Sequence, residues 1–236
     1  PSPFRKKPIC NHFSICGGCQ LLDIDYNDQL IFKQDLIEQK FKSLSNKFKI
    51  PNVNPILKCD ERIYYRNKME FSFGSDQENV FLGLKERGNY KNIIKLSHCY
   101  LQSEKTNTII AFTNNFFTNN NLSVWDHETH IGTLRYLVIR HSKTTQTFSL
   151  NLVASEDKPT LFNEYAKKIT EHIPEIQTVL LSIQDQPSDT SWTPNQTILY
   201  GNPNLTEKFE YIQYTISPTA FFQTNTHQAR HLYKNI

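Results

Sequence analysis

Glycine is scarce in this chain. Its 236 residues hold 7 glycines, where average usage of about 7% would give roughly 16. None forms a GxG, which disfavours a Gly-rich nucleotide-binding loop within this chain. Methionine is scarcer still: Met69 is the only one, and the chain opens Pro1-Ser2-Pro3. These shortages read together as a piece of a larger protein. No apolar run approaches the ~18 residues of a membrane span, and no charged-then-apolar leader opens the chain. No sign of charge dominates either. The formal charge of +3 is too small to establish a nucleic-acid partner. What remains is ordinary globular material, 38% hydrophobic and 21% charged, long enough for one large domain or two small ones.

The five cysteines are Cys10, Cys16, Cys19, Cys59 and Cys99. An odd count without a leader argues against a secreted disulfide framework. Three crowd together as Cys10-x5-Cys16-Gly17-Gly18-Cys19. Such a thiolate loop needs a reducing compartment and a cation, which points to the cytosol and a metal. Structural zinc takes two CxxC-like pairs, or one pair and two His; only one pair is present, with His12 as an alternative ligand. Iron–sulfur clusters take three close cysteines and a fourth from elsewhere, and Gly17-Gly18 lets backbone wrap a bulky group. The fourth ligand is Cys59 or Cys99. Free, buried thiols are the plain alternative.

Periodicity sets the remaining elements. Leu30, Ile37, Phe41, Leu44 and Phe48 recur at helical spacing over Tyr26–Phe48, with Asp25 or Asn27 as cap and Pro51 and Pro55 closing it. Tyr65, Asn67, Met69, Phe71 and Phe73 alternate with Arg66, Lys68, Glu70 and Ser72, a strand. A turn at 74–79 leads to a hairpin partner at 80–84, then a strand at 91–96. A helix follows at 102–118, a hairpin of 134–141 with 147–154, a helix at 160–172, and a strand at 176–183. Residues 185–195 read as a loop, 197–200 and 209–216 as strands, and a helix starts at Asn225. The expected fold is α+β with a mainly antiparallel sheet. Arg135, Arg140, His141 and Lys143 read as a basic surface face of one hairpin.

Three stretches resemble the signatures of a known family. Cys10-Asn11-His12-Phe13-Ser14-Ile15-Cys16-Gly17-Gly18-Cys19-Gln20, with Tyr26, Gln29, Lys33 and Gln34 after it, is the first. Tyr65-Arg66-Asn67-Lys68-Met69-Glu70-Phe71-Ser72 is the second, and Ser217-Pro218-Thr219-Ala220-Phe221-Phe222-Gln223-Thr224-Asn225 the third. In this order they resemble the iron–sulfur-containing RNA uridine-C5-methyltransferases.

The resemblance implies an S-adenosylmethionine-dependent enzyme making 5-methyluridine in 23S ribosomal RNA, or in tRNA as the second choice, and a cytoplasmic location. It implies a 4Fe-4S cluster on Cys10, Cys16, Cys19 and Cys99, leaving Cys59 a bystander. It implies cofactor contact by Gln223, a target base facing Phe221, with Phe222 in the core, and RNA contact by Arg66 and Lys68. A non-catalytic, metal-stabilised RNA adapter and a zinc-stabilised interaction domain are the competing readings.

The implied organisation is a cluster loop at 1–22, a linking helix at 23–50, a central α+β RNA-binding domain at 51–210, and the start of a Rossmann-like methyltransferase domain at 211–236. Family chemistry adds a thiolate to uracil C6, activating C5 toward the sulfonium methyl, and a base then removes the C5 proton. The catalytic cysteine and base belong to a part of the family pattern that this sequence does not show, and so does the OB-like domain that often precedes the cluster. No catalytic residue is therefore expected in this chain.

Overall fold

A computed structural model describes residues 3–45, 47–49, 52–76 and 79–235. Pro51, turn residues 77 and 78, and Ile236 lie outside the described residues. The first helix, α1 (Tyr26–Leu44), starts where Asp25 accepts a hydrogen bond from the Asn27 N–H at 3.0 Å, and it buries none of its residues. The sheet strands follow as β1 (Lys68–Asp76), β2 (Asn79–Glu86) and β3 (Asn89–Lys95), then β4 (Leu134–His141), β5 (Phe148–Ala154), β6 (Ile176–Ile183) and β7 (Gln196–Gly201). They lie in the order β3-β2-β1-β4-β5-β6-β7. Every neighbouring pair is antiparallel except β5 with β6. That parallel pair needs a crossover, which α3 (Pro159–His172) supplies. The sheet is thus mainly antiparallel, as expected, with one βαβ unit inside it.

The strand alternation explains the core. Met69 and Phe71 of β1, Leu137 and Ile139 of β4, and Leu150 and Leu152 of β5 join one buried cluster. α2 (Glu104–Asn119) and α3 add Ile109, Phe117, Phe162 and Tyr165 to it. α2 begins where the Ser103 hydroxyl accepts from the Thr106 N–H at 3.1 Å. Deep between the helices, Thr113 and Tyr165 pair their hydroxyls at 2.8 Å, so the buried phenol is satisfied. The opposite face of the same strands carries Lys68, Glu70, Ser72, Tyr136, Val138 and Arg140, a far more polar set.

The 209–216 strand is in fact half of a hairpin. β8 (Leu205–Phe209) pairs with β9 (Ile212–Ile216) across a turn at Glu210-Tyr211. Neither turn residue is Gly or Pro, and Glu210 takes a positive φ of 52°. That left-handed geometry has no sequence signal in a glutamate. The division expected between residues 210 and 211 falls inside this turn. α4 (Thr226–Lys234) follows. Phe209, Tyr214, Phe222 and Tyr233 pack ring against ring with centroids 5.2–6.1 Å apart, tying the hairpin to α4. Phe222 is half-buried in this aromatic cluster, which lies outside the main core.

The basic surface face does not exist. Arg135, Arg140 and His141 are all buried, at 3%, 7% and 4% exposure. β4 is central and covered on both sides, so all eight of its residues are buried. Arg135 donates from Nη1 to the carbonyls of Gln184 and Gln186 at 2.6 and 2.7 Å, and from Nη2 to that of Ser188 at 2.5 Å. Its guanidinium lies 4.4 Å over the Trp125 ring. It fastens the β6–β7 loop rather than meeting solvent.

His141 stacks on Phe148 with ring centroids 4.2 Å apart. Burial, with the nearby Lys143 charge second, pushes the imidazole down to about 4. The unfolded chain takes up this proton near pH 6.5, ahead of the folded one. The contribution is therefore intact above pH 6.5 and lost as pH falls through 4. Replacing the ring with Phe keeps the stack and removes the titration. His141→Phe should flatten the acid limb of a urea-melt stability profile between pH 6.5 and 4; an unchanged limb would assign it to other groups.

Candidate nucleic-acid interface and cysteine cavity

The cysteine loop is pinned by backbone contacts to the β2–β3 turn. The Gly17 N–H donates to the Lys85 carbonyl at 2.9 Å, and the Arg87 N–H to that of Ile15 at 2.8 Å. A Cβ on Gly17 would stand 3.0 Å from the Lys85 oxygen, and one on Gly18 only 3.1 Å from Leu84 Cδ1 and 3.4 Å from Cys16 Sγ. The glycines thus give the loop a close fit that a Cβ would crowd. Arg87 adds a bond from its guanidinium to the Cys19 carbonyl. At the loop's other end, Arg5 pairs with Asp23, and Lys6 with Asp25 at 2.8 Å.

Cys10, Cys16, Cys19 and Cys99 line one cavity of about 720 Å³. Cys99 is held there by Asn107, whose Oδ1 accepts from the Cys99 N–H at 2.8 Å. The Gly18 N–H points at Cys16 Sγ, 3.3 Å away. Burial first, then the neighbouring thiols, pushes Cys19 up to about 11; burial also pushes Cys99 up to about 11. Thiols raised in this way deprotonate together only around a strongly positive group. Among the described residues, no three His, Cys, Asp or Glu side chains converge closely enough to hold a single metal ion. Three of the four come from one loop and one from elsewhere, the arrangement that the sequence resemblance implies for a cluster. Among the described residues, the four cysteines thus share a cavity without forming a metal site.

Cys59 also lines the cavity. Its N–H donates to the Tyr26 hydroxyl at 2.7 Å, its thiol to the Glu61 carbonyl at 3.0 Å, and it receives Asn225 Nδ2 at 3.5 Å. It is thus engaged with its surroundings in the protein. His12 accepts from the Ser97 N–H at 3.4 Å through Nε2, with Nδ1 lying 4.0 Å from Cys10 Sγ.

The second and third signatures meet at Asn67. Its side-chain amide donates to the Gln223 carbonyl at 2.7 Å and to Thr226 Oγ1 at 2.9 Å. Its N–H donates to the Thr224 carbonyl at 2.7 Å. Arg140 grips the same loop, donating from Nη2 to the carbonyls of Ala220 at 2.6 Å and Pro218 at 3.2 Å. Between these clamps Phe221 projects into solvent, 82% exposed. Arg66 and Lys68 lie at the start of β1, beside this joint. Lys68 pairs with Glu70 at 2.6 Å, and Arg66 Nε donates to the Lys68 carbonyl at 3.3 Å. The structure therefore brings Phe221, Gln223, Arg66 and Lys68 to one region, with the cysteine cavity adjoining it through Asn225.

Two contributors escaped the sequence reading. Arg140 looked like a surface cation, and nothing in its neighbours marks it as the holder of a loop 78 and 80 residues away. Glu207 is 1% exposed and accepts from Thr144 N and Oγ1, Lys143 N, Ser142 Oγ and Thr226 Oγ1. A lone glutamate in an unrecognised strand gave no signal.

No family model matches the chain. Curated relatives do. It is 34% identical over 235 residues to a protein of Nanoarchaeum equitans, and 30% over 251 residues to one of Chlorobaculum tepidum, covering 99% and 100% of this chain but 49% and 52% of theirs. The relatives are named RNA methyltransferases. A solved structure, the Pyrococcus abyssi tRNA (uracil-54, C5)-methyltransferase with S-adenosyl-L-homocysteine, aligns at a TM-score of 0.74 with 26% identity, over 99% of this chain and 51% of that one. The chain spans about half the length of the proteins it matches. No helix among the described residues is long and apolar enough to cross a membrane.

Proposed function

We infer that this chain is the RNA-gripping, cluster-bearing part of an S-adenosylmethionine-dependent RNA uridine-C5-methyltransferase acting in the cytoplasm. The observation that carries the reading is the Asn67 joint, which locks the second signature onto the backbone of Gln223 and Thr224. In this reading Phe221 stacks on the extruded target uracil, a contact worth about 1–3 kcal/mol. Gln223 hydrogen-bonds the cofactor, whose sulfonium supplies the methyl group. Arg66 and Lys68 neutralise RNA phosphates. Cys10, Cys16, Cys19 and Cys99 hold a 4Fe-4S cluster that fastens the loop to the segment bearing Cys99.

The thiolate and base that act on the pyrimidine come from a methyltransferase domain, of which β9 and α4 are the threshold. α1 supports that organisation. Ile31, Phe32, Leu36, Ile37 and Phe41 are all exposed on a helix with nothing buried. Several large apolar side chains exposed together mark a contact surface, so this face of α1 is assigned to that domain.

The first substrate proposed is 23S ribosomal RNA, from the sequence resemblance. The tRNA enzyme among the structural relatives favours tRNA as the second. The test uses the complete protein that carries this chain, labelled S-adenosylmethionine and transcripts of both RNAs. Nucleoside mass spectrometry should find 5-methyluridine in one of them. Phe221→Ala should cut RNA affinity roughly tenfold, matching the loss of one stack, without altering the melting curve. Methylation of neither RNA, or a Phe221→Ala protein of full affinity, would defeat the reading.

A further inference from the structure

A second cavity lies on the polar face of the sheet, separated from the cysteine cavity by Gly18, Leu84 and Leu101, which line both. Its volume is about 730 Å³, within the roughly 300–1,000 Å³ of small-ligand sites. Arg66, Lys68 and Glu70 form one wall, Lys85 and Arg87 a second, and the β6–β7 loop around Asp189 a third. Thr224 of the third signature borders it.

The walls are fixed in place. Asp189 accepts from the Tyr136 hydroxyl and the Lys85 ammonium. Ser191 donates to Glu70 Oε2 at 2.9 Å, while Lys68 holds Oε1 at 2.6 Å. Arg135 anchors the loop from behind through the carbonyls of Gln184, Gln186 and Ser188. Two carboxylates and several cations thus face one slot. Each carboxylate has lone pairs left over, since its two oxygens offer about four acceptor sites. The Arg66 fork makes only its Nε bond, among the described residues.

The geometry points to a seat for one unpaired RNA nucleotide next to the target, with a base that carries an exocyclic amine. Arg66 and Lys85 take its phosphate, and Glu70 and Asp189 accept from the amine, as carboxylates do from cytosine N4. Uracil has no such amine, so the slot rejects the base that Phe221 accepts. Single-stranded RNA is read in this way, by splayed bases bonded along their edges. The inference rests on the reading that this chain handles RNA.

Fluorescence anisotropy on the complete protein separates the two. The probes are a short labelled oligouridine and the same strand with one cytidine beside the central uridine. The cytidine strand should bind about tenfold tighter. The Glu70→Met, Asp189→Leu double variant, which removes both acceptors, should erase that preference. Arg66→Ala should weaken both strands alike and lower the salt slope by about one. Thermal melts confirm that both variants fold. Tight binding of both strands with no cytidine preference, or a preference that survives the double variant, would overturn the nucleotide seat and leave the methyltransferase reading standing. Binding of neither strand at low salt would overturn both.

Discussion

Cys99→Ser is expected to strip iron from the protein, while Cys59→Ser leaves it bound. Anaerobically purified protein should be brown and carry about four irons per chain if the proposed cluster is present. A serine hydroxyl is a far poorer ligand than a thiolate, and Cys99 is the one cavity ligand that does not come from the N-terminal loop. Losing it should release the cluster and free the loop from the Asn107-anchored segment. Cys59 lines the same cavity, which makes the comparison informative. Its thiol donates to the Glu61 carbonyl and receives Asn225, and serine can reproduce both bonds. Iron assay and visible absorption read the result. The reverse pattern, with Cys59→Ser colourless and Cys99→Ser brown, would reassign the fourth ligand. A colourless wild-type protein with one bound zinc would remove the cluster itself.

Glu207→Ala is expected to cost about 2–4 kcal/mol, since buried donors at about 1–3 kcal/mol each lose their acceptor together. Among the described residues, the carboxylate is the only acceptor for the Lys143 and Thr144 N–H groups of the β4–β5 turn. It also binds the Thr226 hydroxyl at the start of α4. Truncation leaves these donors unsatisfied. Glu207→Gln retains one acceptor oxygen and should lose less. Urea melts followed by circular dichroism supply the measurement. A loss below about 1 kcal/mol for Glu207→Ala would mean that water replaces the carboxylate there.

The strands and helices of the central sheet were largely legible, because their side chains repeat at two or at three to four. β1 shows this well, with Met69, Phe71 and Phe73 on the helix side. The reading failed where tertiary covering reverses a residue's usual place. β4 contains two arginines and a histidine, which on a one-sided strand would face water. Its central position buries both faces, and the guanidinium groups find backbone carbonyls instead of solvent. The β8–β9 turn failed for a local reason: Glu210 adopts a conformation that normally announces itself as Gly or Asn.

The candidate site was legible as three short signatures, though not as one place. Their convergence depends on contacts between residues about 156 positions apart, such as Asn67 to Gln223. Composition and periodicity cannot supply these. The polar slot beside them was invisible because Asp189 and Ser191 lie in a loop with no pattern of its own.

The clamps around Phe221 have an entropic consequence. Arg140 holds the backbone just before the ring, and Asn67 holds it two residues after. Phe222 is meanwhile anchored among Phe209 and Tyr214. An exposed aromatic on a free loop must surrender backbone freedom, about 1–2 kcal/mol per residue, when it captures a ligand. Here folding has already fixed the backbone, so capture restricts little more than the two torsions of the phenyl side chain. In the proposed reading a single ring can then deliver most of its stacking energy to a base, with Phe221 a fixed post rather than a closing flap.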